Sequence, residues 1–143
     1  MSSNITDVSS EPVQVMYIRA AAARSKGDLV RISTGHTSGV WVDVALADNT
    51  DVYRVAVCNQ QVASGSIYQA VVKGTTSVTV PSATYTAGDG LDILDGAVRD
   101  STAAAEAPTG QTTINDFAVI LTGGTTVTSV VATLHGFPIT AQT

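Results

Sequence analysis

The chain is written in short runs of β-branched residues cut by glycine, proline and aspartate, and that punctuation leaves little room for anything but strands. Twenty valines and twenty threonines lie along its 143 residues. Both types stiffen χ1 and pack well on a pleated surface. Between turn signals spaced roughly 8–12 residues apart sit VQVMYIRA (13–20), LVRIS (29–33), GVWVDVAL (39–46), VYRVAVC (52–58), SIYQAVVK (66–73), TSVTV (76–80), LDIL (91–94), AVRD (97–100), FAVIL (117–121) and TVTSVVATL (126–134). Runs of this length and spacing predict an all-β fold, a small antiparallel barrel or sandwich.

Within that frame GVWVDVAL alternates, placing Val40, Val42 and Val44 on one face and Trp41, Asp43 and Ala45 on the other. A turn at Gly74 is expected between SIYQAVVK and TSVTV, with Pro81 stopping the second strand. Asp95-Gly96 reads as a tight type I′ hairpin and Gly123-Gly124 as a second hairpin. The stretch YIRAAAARSK has a competing helical reading, because alanine and arginine favour helix, but Gly27 cuts it short. DSTAAAEAPTGQTTIN (100–115) is expected to be a long surface loop, with one helical turn at AAAEA. The expected organisation is an N-terminal arm over residues 1–12 and one β-domain over 13–143.

A chain of this length buries enough surface to need neither disulfide nor metal. Its one cysteine, Cys58, lies in an apolar run and is expected to be buried and inert. Charged residues make up 13% of the chain while the hydrophobic fraction is an ordinary 44%. The deficit of charge therefore falls on the surface, and a weakly charged surface tends to associate. The net charge of −5 comes with scattered basic residues, which excludes the basic patch that nucleic acid or an anionic membrane requires.

GDGLDILDG (88–96) carries Asp89, Asp92 and Asp95, and its Gly88, Gly90, Asp92 and Leu94 match one turn of a calcium-binding β-roll, with Ala87 in place of the first glycine. Those sites form between stacked repeats, and no second copy follows, so the aspartates are read as turn residues and no metal or cofactor is expected. His36 and Ser38 are neighbours on one loop, and His135 lies a hundred residues away, so neither forms an oriented nucleophile–base pair. The protein is expected not to be an enzyme. Trp41 is expected to pack in the core or at a subunit interface. Exposed on a strand, it would instead suit a carbohydrate- or receptor-binding β-module.

The succession of GDLVRI, RVAVCNQQVASGSIYQAVVKGTTSVTV, TAGDGLDIL and a final apolar strand pair resembles the head decoration proteins of bacteriophages, also called capsid cement or stabilisation proteins. The matching features are Gly27-Asp28, the step from Val57 to Gly65, the strand from Gly74 to Val80, and Gly88-Asp89 with Leu91 and Ile93. They span Gly27 to Gly136, and the segment 100–115 departs from the pattern. The resemblance implies a barrel-like domain that forms a homotrimer on the outer surface of the expanded head. There it contacts the major capsid protein and holds neighbouring capsomers together. It also implies an N-terminal arm that adds a strand to the shell. Here that assigns capsid contact to Asn4, Ile5, Thr6, Val8 and Val13. The arm has few aliphatic residues and is expected to be loosely held in the free protein.

Overall fold

The structure is a computed structural model that describes residues 13–37, 39–46, 55–94, 96–101 and 116–136. Among them the fold is all-β, with nine strands and no helix. The first five are β1 (Gln14–Arg19), β2 (Leu29–Thr37), β3 (Val40–Val44), β4 (Val55–Cys58) and β5 (Ile67–Tyr85). They close on themselves in the order β1-β3-β2-β4-β5-β1, and all pairings but the parallel β1–β3 contact are antiparallel. Closure removes the open edges that a five-stranded sheet would present.

The remaining strands are β6 (Gly90–Leu94), β7 (Ala97–Asp100), β8 (Ala118–Thr122) and β9 (Gly124–Leu134). They extend a second sheet from the far half of β5 in the order β5-β9-β8-β6-β7. Asp100 at the end of β7 accepts from the Thr86 amide at 3.0 Å, so the sheet curls back onto the strand it started from.

Two cores result. Ile18, Val30, Ile32, Ala56, Cys58, Tyr68 and Ala70 fill the barrel. Val55, Val57, Val71, Val78, Leu91, Ile93, Phe117, Ile120 and Val130 fill the space between the barrel wall and the second sheet. The strand β4 serves both: Ala56 and Cys58 point into the barrel while Val55 and Val57 point out of it, and all four are buried. A strand covered on both faces reads as a continuous apolar run rather than an alternation.

Several local expectations are corrected. Gly74 and Pro81 neither turn nor stop the chain, because β5 runs through both as one 19-residue strand. Val71 and Val78 face the same core although they are an odd number of residues apart. The extra residue that allows this is Val72, between the pairs Val15↔Val71 and Gln14↔Lys73. Gly74 follows at φ 108°, and a Cβ there would press on Val13 at 2.8 Å. Pro81 lies where the β5–β9 register slips between Thr79 and Ala83, so its missing N–H interrupts no ladder pair.

Gly123-Gly124 is not a tight hairpin. Thr122 pairs with Val131, and the first half of β9 runs along β5 instead. Glycine is needed at 123 because a Cβ would fall on the Tyr85 carbonyl. Leu94↔Ala97 does close the two-residue connection expected at Asp95-Gly96. The stretch 17–26 is strand, bend and an isolated bridge from Arg24 to Val62, not helix. The arm 1–12, the loop segment 102–115 and its AAAEA turn lie outside the described residues.

Candidate functional site

Sequence alternation separated the two faces of β3 without saying which one is inside. The structure turns Asp43 inward and leaves Val40, Val42 and Val44 on the outer wall, half-buried. Asp43 is fully buried and accepts from the Ala21 amide at 2.9 Å, Arg24 Nε at 3.1 Å, Arg24 Nη2 at 2.7 Å and the Tyr68 hydroxyl at 2.6 Å. Burial, then the bond to Asp43, pushes the Tyr68 phenol well above its usual range, so it stays a donor. The Arg24 guanidinium is held more firmly protonated by the same carboxylate. Both carboxylate oxygens of Asp43 are satisfied inside the fold. Its chemistry is structural: it pins β3 to the 20–24 segment and to β5 across the barrel end.

A second buried pair lies on the other sheet. Arg99 donates to Asp92 at 2.7 and 3.1 Å across the β6–β7 pair. Asp92 is therefore committed to a cation of its own chain rather than to the Asp89–Asp92–Asp95 array its spacing suggests. Among the described residues no group of histidine, cysteine and carboxylate side chains is placed to hold a metal ion. Nearby Asp116 has one carboxylate oxygen buried without a partner. Burial raises its pKa, a Ser101 hydrogen bond opposes the rise, and the neighbouring Asp92 charge adds to it.

Cys58 donates its thiol to the Gln60 carbonyl at 2.7 Å, and burial raises its pKa, which keeps it the inert thiol expected. His36 contributes backbone to β2, and His135 sits exposed at the end of β9, its amide bonded to the Phe117 carbonyl. An open cleft of about 360 Å³ runs between β5 and β7, lined by Leu29, Leu46, Thr79, Val80, Pro81 and Val98 with Arg24 and Asp28 at its rim. Both charged groups are spoken for, Arg24 by Asp43 and Asp28 by the Ser25 amide.

Among the described residues, much of what the fold presents outward is apolar or hydroxyl-bearing. Val13, Val15 and Tyr17 project from β1, Ile67 from β5 and Trp41 from β3, all exposed. Leu121 and Val131 form a separate exposed pair on β8 and β9. Along β5 and β9 the hydroxyls of Thr75 and Thr133 meet at 2.9 Å and those of Ser77 and Ser129 at 3.0 Å, a cross-strand ladder without charge. Of the residues assigned to partner contact by sequence, Asn4, Ile5, Thr6 and Val8 lie outside the described residues. Val13 and Trp41 are on the surface at opposite ends of their strands' roles: Val13 packs over Gly74 where β1 gives way to β9, and Trp41 pairs with His36 in the β2–β3 hairpin. Sequence reading missed Tyr17 and Ile67; the alternation in VQVMYIRA was the available signal.

No protein-family profile and no curated protein sequence matches the chain. Among solved structures it is similar to head fiber gp8.5 N base in bacteriophage phi29, with a TM-score of 0.55 and 16% identity. The match covers 91% of this chain and 100% of that one, so the likeness is of the whole fold rather than of one sheet.

Proposed function

We propose that this protein is a non-enzymatic component of a phage head, a decoration protein that binds the outer surface of the expanded shell as a homotrimer and stabilises contacts between capsomers. The observation that carries the reading is the whole-length fold likeness to the base of a phage head fibre. It comes from a comparison of shapes, separate from the turn motifs that suggested a head protein in the first place. Two physical features support it. The surface is poor in charge for a chain of ordinary hydrophobicity, which suits a protein that works covered. The described charged clusters are engaged internally, leaving the outer β surfaces for contact. The partners in this reading are the major capsid protein and further copies of the chain, with the arm around Asn4–Val8 and Val13 contributing to the capsid contact. No cofactor is involved.

Electron microscopy of the parent particle with an antibody to this protein tests the proposal. Many copies spread over the head are expected. A few copies at the tail would replace it with the receptor- or carbohydrate-binding reading, for which the exposed edge of Trp41 is the motivating feature.

A further inference from the structure

We infer that the outer wall of the barrel over β1, β3 and the start of β5 is the seat for a shell subunit, and that the seat takes an acidic, aliphatic segment of that subunit. The inference rests on the decoration reading above and assigns it a face.

The barrel wall is one continuous surface treated in two ways. Over β4 and the middle of β5 its outward side chains, Val55, Val57 and Val71, are buried beneath the second sheet. Around the other side the same kind of side chain stands open: Val15 is 41% exposed, Ile67 47% and Tyr17 62%. Val42 of β3 lies beside them, opposite Arg19 in the parallel pair. Exposed single apolar residues are ordinary, but a cluster sharing one sheet face marks a contact surface.

The charge on this wall is as telling as its apolarity. The chain as a whole carries a net −5. Yet no described acidic side chain lies on the wall, since Asp43 is turned into the barrel and the other described aspartates belong to the 24–28 turn and the second sheet. Arg19 is there instead. Its Nη1 donates to the Gly65 carbonyl at 2.7 Å, its Nε is buried without a partner, and no described carboxylate pairs with it. A guanidinium beside Val42 and Ile67 with no described carboxylate of its own is complementary to a carboxylate arriving with apolar neighbours, because charge-assisted bonds are among the strongest it can make.

In a second copy of the chain the described Asp28, Asp43, Asp92 and Asp100 are each bonded within their own fold, and these four are poor sources of that carboxylate. The wall is also continuous with the arm. It begins at Val13, where residues 1–12 join, and a dozen extended residues reach about 40 Å. An arm and a wall that meet at one point suit engagement of the same subunit.

Binding to expanded heads assembled without this protein tests the assignment. The variants are Tyr17→Asp combined with Ile67→Asp, and separately Arg19→Gln, with Leu121→Asp on the second sheet as the control. Both wall variants are expected to bind heads at least about tenfold more weakly, with melting temperature and solution mass unchanged, while the control binds as wild type does. Raising the salt concentration is expected to weaken the wild type more than Arg19→Gln. Wall variants that bind like wild type overturn the assignment while leaving decoration standing. A drop in solution mass also overturns it, since the wall would then be a contact between copies. Wild-type protein that fails to bind heads overturns the decoration reading and this face together.

Discussion

Ile18, Val30, Ile32 and three small residues, Ala56, Ala70 and Cys58, line the barrel, whose end is closed by the Asp43–Arg24–Tyr68 cluster. The second core, between β4, β5 and the outer sheet, is larger and filled by Leu91, Ile93, Phe117, Ile120 and a set of valines, with the buried Asp100 beside Leu91 held by the Thr86 amide. The pair Asp92–Arg99 lies on the opposite face of its strands from Leu91 and Ile93. The difference follows from geometry. A closed five-stranded ring leaves polar groups at its ends to be satisfied, and it takes in Tyr68 with its hydroxyl bonded to Asp43. A sheet laid over a wall buries a wider apolar face. The barrel thus depends on a few directional bonds, and the second sheet on apolar area.

The largest expected effect breaks the barrel side of that contrast. Asp43→Ala strands a charged Arg24 and a buried Tyr68 hydroxyl and should lower stability by about 3–5 kcal/mol. Asp92→Ala should lower it by about 1–3 kcal/mol, because fewer bonds are lost. Urea denaturation of both variants measures the gap, and equal losses would dissolve the distinction. Next, Leu91→Ala should lower stability by roughly 2–5 kcal/mol through the cavity it leaves in the second core, with the barrel's Asp43 cluster intact by the near-ultraviolet signal of Tyr68.

The joint between the regions is sharpened by Gly74→Ala. The new Cβ meets Val13 in a backbone conformation that L-residues avoid, and a loss of about 1–3 kcal/mol is expected. A smaller loss would mean that β1 yields there without disturbing β9.

A weaker effect comes from Asp116. Its folded pKa is raised above that of the unfolded chain, so the native state holds its proton more tightly. Its contribution to stability is therefore greatest at low pH and falls as pH rises from the unfolded carboxylate value through the folded one. Asp116→Asn should raise the melting temperature by a few degrees at most near neutral pH. The gain should fade as the solution is acidified. A variant whose advantage persists at low pH would assign the effect to something other than charge. Smallest of all is the response to metal: calcium or a chelator is expected to leave the melting temperature unchanged, since Arg99 occupies Asp92. A calcium-dependent rise would return the 88–96 aspartates to the role their spacing suggests.

Much of the strand inventory was legible because a period of two and β-branched composition act locally. The runs at 13–20, 66–73, 76–80, 117–121 and 126–134 all fell in strands, though no turn at Gly74 parts the second from the third, and Leu94↔Ala97 closed the connection where Asp-Gly marked it. The candidate surface was legible only in part. Val13 and Trp41 were singled out and are exposed, whereas Tyr17, Ile67 and Arg19 on the wall emerge only once β1 is set beside β5 and β3.

The sequence by itself determined that the chain is all-β and that its surface carries little charge, since both are sums over local preferences and composition. Only the tertiary structure decided which face of each strand is inside. GVWVDVAL alternates valine with a set containing aspartate, and the alternation alone does not say which set is inside. The barrel buries Asp43 because Arg24, Tyr68 and the Ala21 amide converge on it from segments 19, 25 and 22 residues away. Likewise, one extra residue at Val72 moves the inward face of β5 from Val71 to Val78. A bulge leaves no mark in a run of β-branched residues, because either face of such a run can be buried and the partner strands choose between them.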